Sequence, residues 1–507
     1  MKEYDVIAIG TGSALSIVTA MIDRYPHLKA AVIDKDEPGG ICLTRGCIPS
    51  KMLLYPADLV RIIESAGEFG INVSTRKIDF GIVMSRMRKI IRNDIDRIRN
   101  GLENTDRIDY YRGVARFIAP YTLKVSDAAR SSASSPAGSA VDTAVDTIRG
   151  KKIFLSSGSR PKIPAIEGLE SIGYLTSDSL LEMTKLPNGI AIIGGGYIAA
   201  EYGHFFSAMG ADVTIIGRNP RFLPQEEPEI SHVAANLLSS KIKIHTNCDV
   251  ISVSRTITGR KRIRIRNLSS AEEFTVDADE ILIAIGREPN SDILMPEAGG
   301  IKTDANGWII VDEYMQTSQP NVWALGDAIG KYMFKHTANY EARIVYENVV
   351  LNATPKSKVN FSSNPHAVFT YPEIAAVGMG EAAAVEMLGE DDVLIGFHLF
   401  EQTAKGEAMG VKDCFVKVIL NRKNGKILGA HIIGPSASIL IQEIINVMNT
   451  GDGSYVPAVE AMHIHPALSE VVERAFKTLM TQQQYRHLIG HLFGRTPAKA
   501  AAVHTLD

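Results

Sequence analysis

Cysteine is scarce in this chain. Only four occur in 507 residues: Cys42, Cys47, Cys248 and Cys414. Four thiols cannot staple a chain of this length, which excludes a disulfide-stabilised scaffold. Zinc is disfavoured, because no second cysteine pair or nearby histidine completes four ligands around Cys42 and Cys47. An excess of one charge is missing too. The formal net charge of −3 gives no electrostatic reason to expect nucleic acid or an anionic membrane as partner. No apolar run reaches bilayer length. Met1-Lys2-Glu3-Tyr4-Asp5 runs straight into an apolar strand, without the layout of a signal peptide. These absences set the expectation of a soluble, cytoplasmic protein.

What is present is the composition of a globular chain, 45% hydrophobic and 22% charged, long enough for about two to four domains. Its strongest organisational signal is an internal echo. Residues 5–34 and 189–218 each read as a β-branched strand, a glycine turn, a helix and a second strand, the βαβ dinucleotide-binding unit. Two units imply two nucleotides. In the first, Gly10 makes the tight turn and Gly12 lets a pyrophosphate approach the helix N-terminus, while Leu15 stands at the third glycine position. Asp34, at the end of the second strand, is placed to grip a ribose hydroxyl. The second copy has Gly194, Gly196 and Ala199. Gly217 stands where an acid preferring NAD is expected, and Arg218, assisted by Arg221, can pair with a 2′-phosphate, so NADPH is favoured over NADH.

The most specific stretch is Gly39-Gly40-Ile41-Cys42-Leu43-Thr44-Arg45-Gly46-Cys47-Ile48-Pro49-Ser50-Lys51. On one helix, cysteines five apart rise from adjacent turns, close enough for a disulfide after modest distortion. A helix start after Gly39-Gly40 and the charge of Lys51 are expected to lower thiol pKa. Residues 126–147, rich in Ser, Ala, Asp and Thr, are expected to form an exposed flexible loop between strands Tyr121–Val125 and Thr147–Leu155. Residues 484–507 are expected to be a poorly ordered tail.

At this point the sequence resembles the pyridine nucleotide-disulfide oxidoreductases of the dihydrolipoamide dehydrogenase and glutathione reductase architecture, over nearly the whole chain. The matching segments are the first glycine turn, the cysteine motif, Ser157-Gly158-Ser159-Arg160-Pro161, Gly196-Tyr197-Ile198-Ala199-Ala200-Glu201, Ala284-Ile285-Gly286-Arg287-Glu288-Pro289-Asn290, Ala324-Leu325-Gly326-Asp327-Ala328, Phe369-Thr370-Tyr371-Pro372-Glu373 and His463-Ile464-His465-Pro466-Ala467-Leu468-Ser469-Glu470. The resemblance implies an α/β fold of two Rossmann-like domains, for FAD and NAD(P), plus a C-terminal α+β dimerisation domain. The expected boundaries are 1–160 and 286–355 for FAD, 161–285 for NAD(P), 356–483 for the interface and 484–507 for the tail.

The resemblance also implies residue roles. Cys47 is the thiol beside the flavin and Cys42 the interchange thiol that attacks a substrate disulfide. Lys51 and Glu201 form an ion pair beside the flavin, and Tyr197 covers the empty nicotinamide pocket. His465, oriented by Glu470, is the acid–base group for Cys42 and acts in the other subunit, so a homodimer is implied. FAD contacts are expected from Gly10, Gly12, Asp34, Lys35, Gly40, Lys51, Ala115, Gly158, Asp327 and His336. Nicotinamide-nucleotide contacts are expected from Gly194, Gly196, Ala199, Glu201, Arg218, Val250 and Gly286. Cys-Ile-Pro-Ser-Lys and Leu-Ser-Glu look like dihydrolipoamide dehydrogenase. Thr44-Arg45 and Ala467 depart from that pattern, and the Ala199–Gly217–Arg218 set looks like NADPH-using members. His465-Pro466-Ala467-Leu468 with the following Glu470-Val471-Val472-Glu473, together with Lys335-His336-Thr337-Ala338-Asn339, resembles mycothione reductase. An NADPH-dependent reductase of a small disulfide is therefore the alternative. A mercuric reductase or large thioredoxin reductase is disfavoured, since the C-terminal stretch has no cysteine pair. A non-redox flavoprotein subunit is disfavoured as well, because binding alone needs neither the cysteine pair nor His465 and Glu470.

Overall fold

The computed structural model describes residues 1–73, 77–127 and 144–494. Two compact units are built from interleaved segments: Met1–Pro187 with Asp279–Asn360, and Asn188–Ala278 with Phe361 onward.

The first unit is organised by a sheet in which Lys2–Ile9 pairs in parallel with both Ala30–Asp34 and Ala144–Leu155, and Val322–Ala324 extends it beside the latter. The strand code is a near-continuous apolar run, because both faces are covered. Val6, Ala8, Ala30 and Val32 face a core with Ile17, Val18 and Met21 of helix Leu15–Arg24 and with Ala342 and Val345 of helix Lys335–Val349. The alternate residues Ile7, Ile9, Ala31 and Ile33 face a second core with Phe117, Leu123 and Ile309. This period of two fixes the register, for a one-residue slip would exchange the two faces. The carboxyl ends of the parallel strands open onto the Gly10–Leu15 turn and the cysteine motif, the usual place for a ligand in such a sheet.

In the second unit, Gly189–Ile193, Asp212–Ile216 and Lys243–His245 are parallel, with helix Tyr197–Met209 between the first two. Cys248–Arg255, Lys261–Asn267 and Glu273–Ala278 form an antiparallel sheet of three strands. A six-stranded sheet runs through residues 365–481. On one face Val416 and Val418 pack on helices Ala437–Met448 and Glu470–Lys477. Between those two valines, Lys417 points to the other face and is fully buried. Its Nζ meets Glu227 at 2.6 Å, Glu229 at 3.3 Å and Glu381 at 2.5 Å.

Strands Thr122–Asp127 and Ala144–Leu155 extend into both ends of the expected loop, and residues 128–143 lie outside the described residues. The expectation of a poorly ordered stretch from residue 484 is corrected. Gln482–Leu492 is a helix, started by a capping box in which Thr481 and Gln484 bond each other's backbone N–H, with Tyr485 buried beneath it. Residues 495–507 lie outside the described residues. No helix among the described residues is long and apolar enough to cross a membrane.

Candidate active site

In the first unit, the Gly10 turn and the cysteine motif are one construction. Gly10 has φ +94°, and a Cβ there would stand 2.2 Å from the Ser156 carbonyl oxygen, so only glycine fits. Thr11 ties the turn together: its N–H and hydroxyl donate to Asp34 Oδ2 at 2.8 and 2.5 Å, and its Oγ1 accepts from Gly39 N at 2.9 Å. A Cβ on Gly40 would lie 2.8 Å from the Gly12 Cα, so the cysteine segment backs directly onto the turn. Asp34 Oδ1 accepts from Asp36 N at 3.0 Å, and Lys35 Nζ bonds Asp36 at 2.7 Å. Gly158, at φ +68°, packs towards Ile41. Asp327 accepts from Ser159 Oγ at 2.6 Å, and Ser159 in turn accepts from Arg287 Nε at 2.6 Å. Ala115 is buried in its strand, and the His336 ring stacks on Phe334 at 5.4 Å.

The two cysteines do not share a helix, which corrects the expectation of adjacent turns. Cys42 lies in the short helix Gly40–Thr44, and Cys47 is the first residue of helix Cys47–Ser65. The break falls at Arg45-Gly46, where a Cβ on Gly46 would meet the Ile41 carbonyl oxygen at 2.9 Å. Arg45 braces the break, pairing with Asp36 and, at 3.3 Å, with Asp178. It is therefore Cys47 that receives the dipole of a long helix.

Both thiols are free and half-buried, and their acidities are driven apart. Cys47 falls to about 7 because Cys42 hydrogen-bonds to it; burial opposes this and the Lys51 charge adds to it. Cys42 rises well above an ordinary thiol, because it donates that hydrogen bond and because it is buried, while Lys335 pulls weakly the other way. Lys335 Nζ bonds Ser13 Oγ at 2.9 Å and Ser13 bonds Asn339 at 3.0 Å, so the Lys335–Asn339 segment is fastened to the nucleotide turn.

In the second unit, the Gly194 turn feeds helix Tyr197–Met209. Ala199 is fully buried, and buried Glu201 accepts from Phe369 N at 3.0 Å. Arg218 is 77% exposed, with Asp249 3.8 Å from its Nε, and neighbouring Val250 is buried. Elsewhere in this unit, His465 Nδ1 meets Glu470 Oε1 at 3.0 Å. Glu470 is held by Ala467 N at 3.2 Å and Arg474 at 3.2 Å, and its pKa is lowered chiefly by the bond to His465. The Nδ1 of His465 is committed to Glu470 while its side chain is 66% exposed. Among the described residues no group of three or more His, Cys, Asp or Glu could hold a metal.

Residues 4–342 match the pyridine nucleotide-disulphide oxidoreductase family, and residues 364–476 match its dimerisation domain. The chain belongs to this family. Mycothione reductase of Mycobacterium tuberculosis is 35% identical over 482 residues, covering 94% of this chain and 99% of that protein. Dihydrolipoyl dehydrogenase of Chlamydia pneumoniae is 32% identical over 476 residues, covering 93% and 95%. Among solved structures, the HOCl-induced flavoprotein disulfide reductase RclA of Escherichia coli, as its Cu(II) complex, superposes with a TM-score of 0.79 at 27% identity, covering 94% of this chain and 99% of that one. The expected α/β fold and FAD-dependent, NAD(P)H-using disulfide oxidoreductase class are borne out.

The glycines of this family member fit the nucleotides of its class. Gly12 has no positive φ and no atom nearer than 3.8 Å to a built Cβ; Gly196, at φ −96°, has none within 4 Å. Neither the backbone nor the packing demands glycine at these two places. Both are open on the side from which a pyrophosphate would approach the helix N-terminus. Gly286, at φ +114°, is set by its backbone instead. Sequence reasoning missed Thr11, Ser159 and Arg287, and it missed Glu341, whose Oε2 accepts from Gly326 N at 2.7 Å while Oε1 has no partner. A charged residue in an otherwise apolar helix stripe was the available signal for Glu341.

Proposed function

We propose that this chain is an NADPH-dependent reductase of a low-molecular-weight disulfide, working as a cytoplasmic homodimer. The observation that carries the reading is the placement of the pair, Cys42 in a short helix backed onto the Gly12 turn and Cys47 opening a long helix, in a chain 35% identical to a mycothione reductase. Bound FAD would supply two-electron transfer between the nicotinamide and the Cys42–Cys47 disulfide. Gly10, Gly12, Asp34, Lys35, Gly40, Ala115, Gly158, Asp327 and His336 are its proposed contacts. Gly194, Gly196, Ala199, Arg218, Val250 and Gly286 are those of the nicotinamide nucleotide, with Tyr197 covering its subsite. Lys51 and Glu201 complete the set beside the flavin.

The chain's own thiols then act in order. Reduction opens the disulfide and leaves Cys47 as the thiolate. Cys42 loses its proton to His465 of the other subunit and attacks one sulfur of the substrate disulfide. The departing thiolate takes the proton back from His465. Cys47 attacks the mixed disulfide at Cys42, restoring the pair and releasing the second thiolate, which is protonated from solvent.

Gly217 with Arg218 supports NADPH. One observation favours NADH: Asp249 stands beside Arg218, where its carboxylate can accept from ribose hydroxyls. The second reading, a dihydrolipoyl dehydrogenase, is favoured by Cys-Ile-Pro-Ser-Lys and by similarity to that enzyme. The test is a substrate panel of mycothiol disulfide, glutathione disulfide, bis-coenzyme A disulfide and lipoamide, each with NADPH and NADH. Preferred turnover of a small-thiol disulfide with NADPH is expected; exclusive use of lipoamide with NADH would overturn the proposal.

A further inference from the structure

Within the second unit, two side chains from distant points of the sequence, Glu226 and His366, converge on Tyr197, the first residue after Gly196. The Tyr197 ring stacks on His366, with centroids 5.4 Å apart and planes 20° from parallel. His366, on strand Pro365–Val368, bonds Glu226 Oε1 through Nε2 at 2.7 Å. The Glu226 side chain is entirely buried, and its Oε2 has no hydrogen-bond partner. The Tyr197 hydroxyl faces this carboxylate; burial, then the charge of Glu226, keep it protonated and able to donate. The Glu226 loop is itself tied to the glycine turn, since Leu223 N donates to Gly195 O at 2.8 Å and Glu226 N to Leu223 O at 3.0 Å. Tyr197 thus stands between a fixed stacking partner and a buried oxygen that lacks a donor. Next to it, the open side of Gly196 is the space in which the dinucleotide is proposed to lie.

We propose that Glu226 and His366 form a latch that holds Tyr197 over the nicotinamide subsite and returns it there when the nucleotide leaves. This rests on the reading that the Gly194 turn binds NAD(P)H with Tyr197 covering it. Both are positioning residues: they act on the nucleotide only through the tyrosine. A carboxylate with one oxygen bonded to His366 and one open to the phenol favours the covering state, and a bound nicotinamide must displace the ring. A subsite uncovered for only a fraction of the time binds with its apparent dissociation constant raised by the inverse of that fraction. Releasing the latch should therefore tighten apparent binding.

The experiment uses the FAD-loaded enzyme with NADP+ and NAD+ as non-reducing probes, read by perturbation of the flavin spectrum, and stopped-flow entry of NADPH. His366→Ala and Glu226→Gln should each lower the apparent Kd by about tenfold and speed entry, approaching the values of Tyr197→Ala. His366→Phe, which keeps the stacking ring, should recover part of the wild-type behaviour. In the Tyr197→Ala background, His366→Ala should add nothing, because both act through one residue. If Tyr197→Ala alters nucleotide binding while His366→Ala and Glu226→Gln leave it at wild-type values, the latch is wrong and the cover stands. If Tyr197→Ala itself changes nothing, the cover fails and the latch with it.

Discussion

The split acidity of Cys42 and Cys47 makes a quantitative prediction about reduced enzyme. Cys47 sits at about 7 against an ordinary 9.0, and the leading cause is the hydrogen bond from Cys42. Cys42→Ala removes that donor; Cys42→Ser keeps a hydroxyl that can still donate. If the whole shift were lost, the midpoint of Cys47 alkylation would move from about 7 towards 9. The thiolate fraction at pH 7 would then fall from about one half to about 1%, roughly 50-fold. A thiolate of higher pKa is the better nucleophile, however. With a Brønsted slope near 0.45, two pH units give back about eightfold. The rate at pH 7 should therefore fall only about sixfold, while the plateau at high pH rises about eightfold. Lys51 and the helix dipole survive the substitution and keep the true shift below this ceiling.

The assay is iodoacetamide labelling of the reduced holoenzyme across pH, read peptide by peptide by mass spectrometry. Cys248 and Cys414, each 3% exposed, serve as internal controls that should stay unlabelled in folded protein. Cys42→Ser should keep the low midpoint and Cys42→Ala should not. A midpoint that stays near 7 in Cys42→Ala, or that moves equally in both variants, would refute the hydrogen-bond account and assign the acidity to Lys51 and the helix.

Other substitutions read other parts of the molecule. Lys417→Ala strands three carboxylates around a fully buried site, and should cost about 3–5 kcal/mol in urea unfolding of the holoenzyme; a loss below 1 kcal/mol would show that the cluster is already neutralised. Glu341 is pushed up to about 7, first by burial. Its contribution is thus fully present below the ordinary carboxylate value near 4.5 and fades as pH rises through 7, so Glu341→Gln should raise Tm at pH 8 and leave it unchanged at pH 4.5. His463 is raised because its bond to Glu443, at 2.7 Å, outweighs burial. Its contribution is present below the ordinary histidine value near 6.5 and lost as pH climbs through its raised one, so His463→Gln should lower Tm at pH 6 but not at pH 9. Arg218→Ala should raise the KM for NADPH at least tenfold and leave that for NADH within about twofold; equal effects on both would remove Arg218 from the 2′-phosphate.

The parts of the site that were legible in sequence are those whose physics is local. A glycine turn between an apolar strand and a helix needs its residues within a short span, so both nucleotide units could be read directly. Thr481-Gln482-Gln483-Gln484 is local as well: it spells the capping box that starts helix Gln482–Leu492, which runs on into the expected tail. The break between the cysteines was half-legible, since Gly46 is visible but its need to clear the Ile41 carbonyl is not. What sequence could not supply was the pairing of polar residues far apart in the chain. Lys417 interrupts Phe415-Val416-Lys417-Val418-Ile419-Leu420, which marks it as unusual without naming Glu227 or Glu381. Likewise nothing in Asn364-Pro365-His366 names a partner for the histidine until the fold brings Glu226 and Tyr197 to it.

The same split acidity bears on why a base is needed from elsewhere. Cys42 must attack the substrate on the proposed reading, yet it is the thiol that stays protonated, because it donates to Cys47 and is half-buried. Lys335 favours its thiolate but does not overcome those two effects. Ionising Cys42 therefore requires an acceptor placed against it for that step. His465 has the attributes of one: Nδ1 held at 3.0 Å by Glu470, a carboxylate braced by Ala467 N and Arg474, and a side chain 66% exposed. Such exposure suits a group meant for a surface other than its own, and the match of residues 364–476 to a dimerisation domain supplies that surface. Mixing inactive Cys42→Ala subunits with inactive His465→Ala subunits should then restore activity, because one of the two sites in each mixed dimer receives both intact groups. If the mixture stays inactive while the mixed dimer is shown to form, the base for Cys42 lies within its own chain.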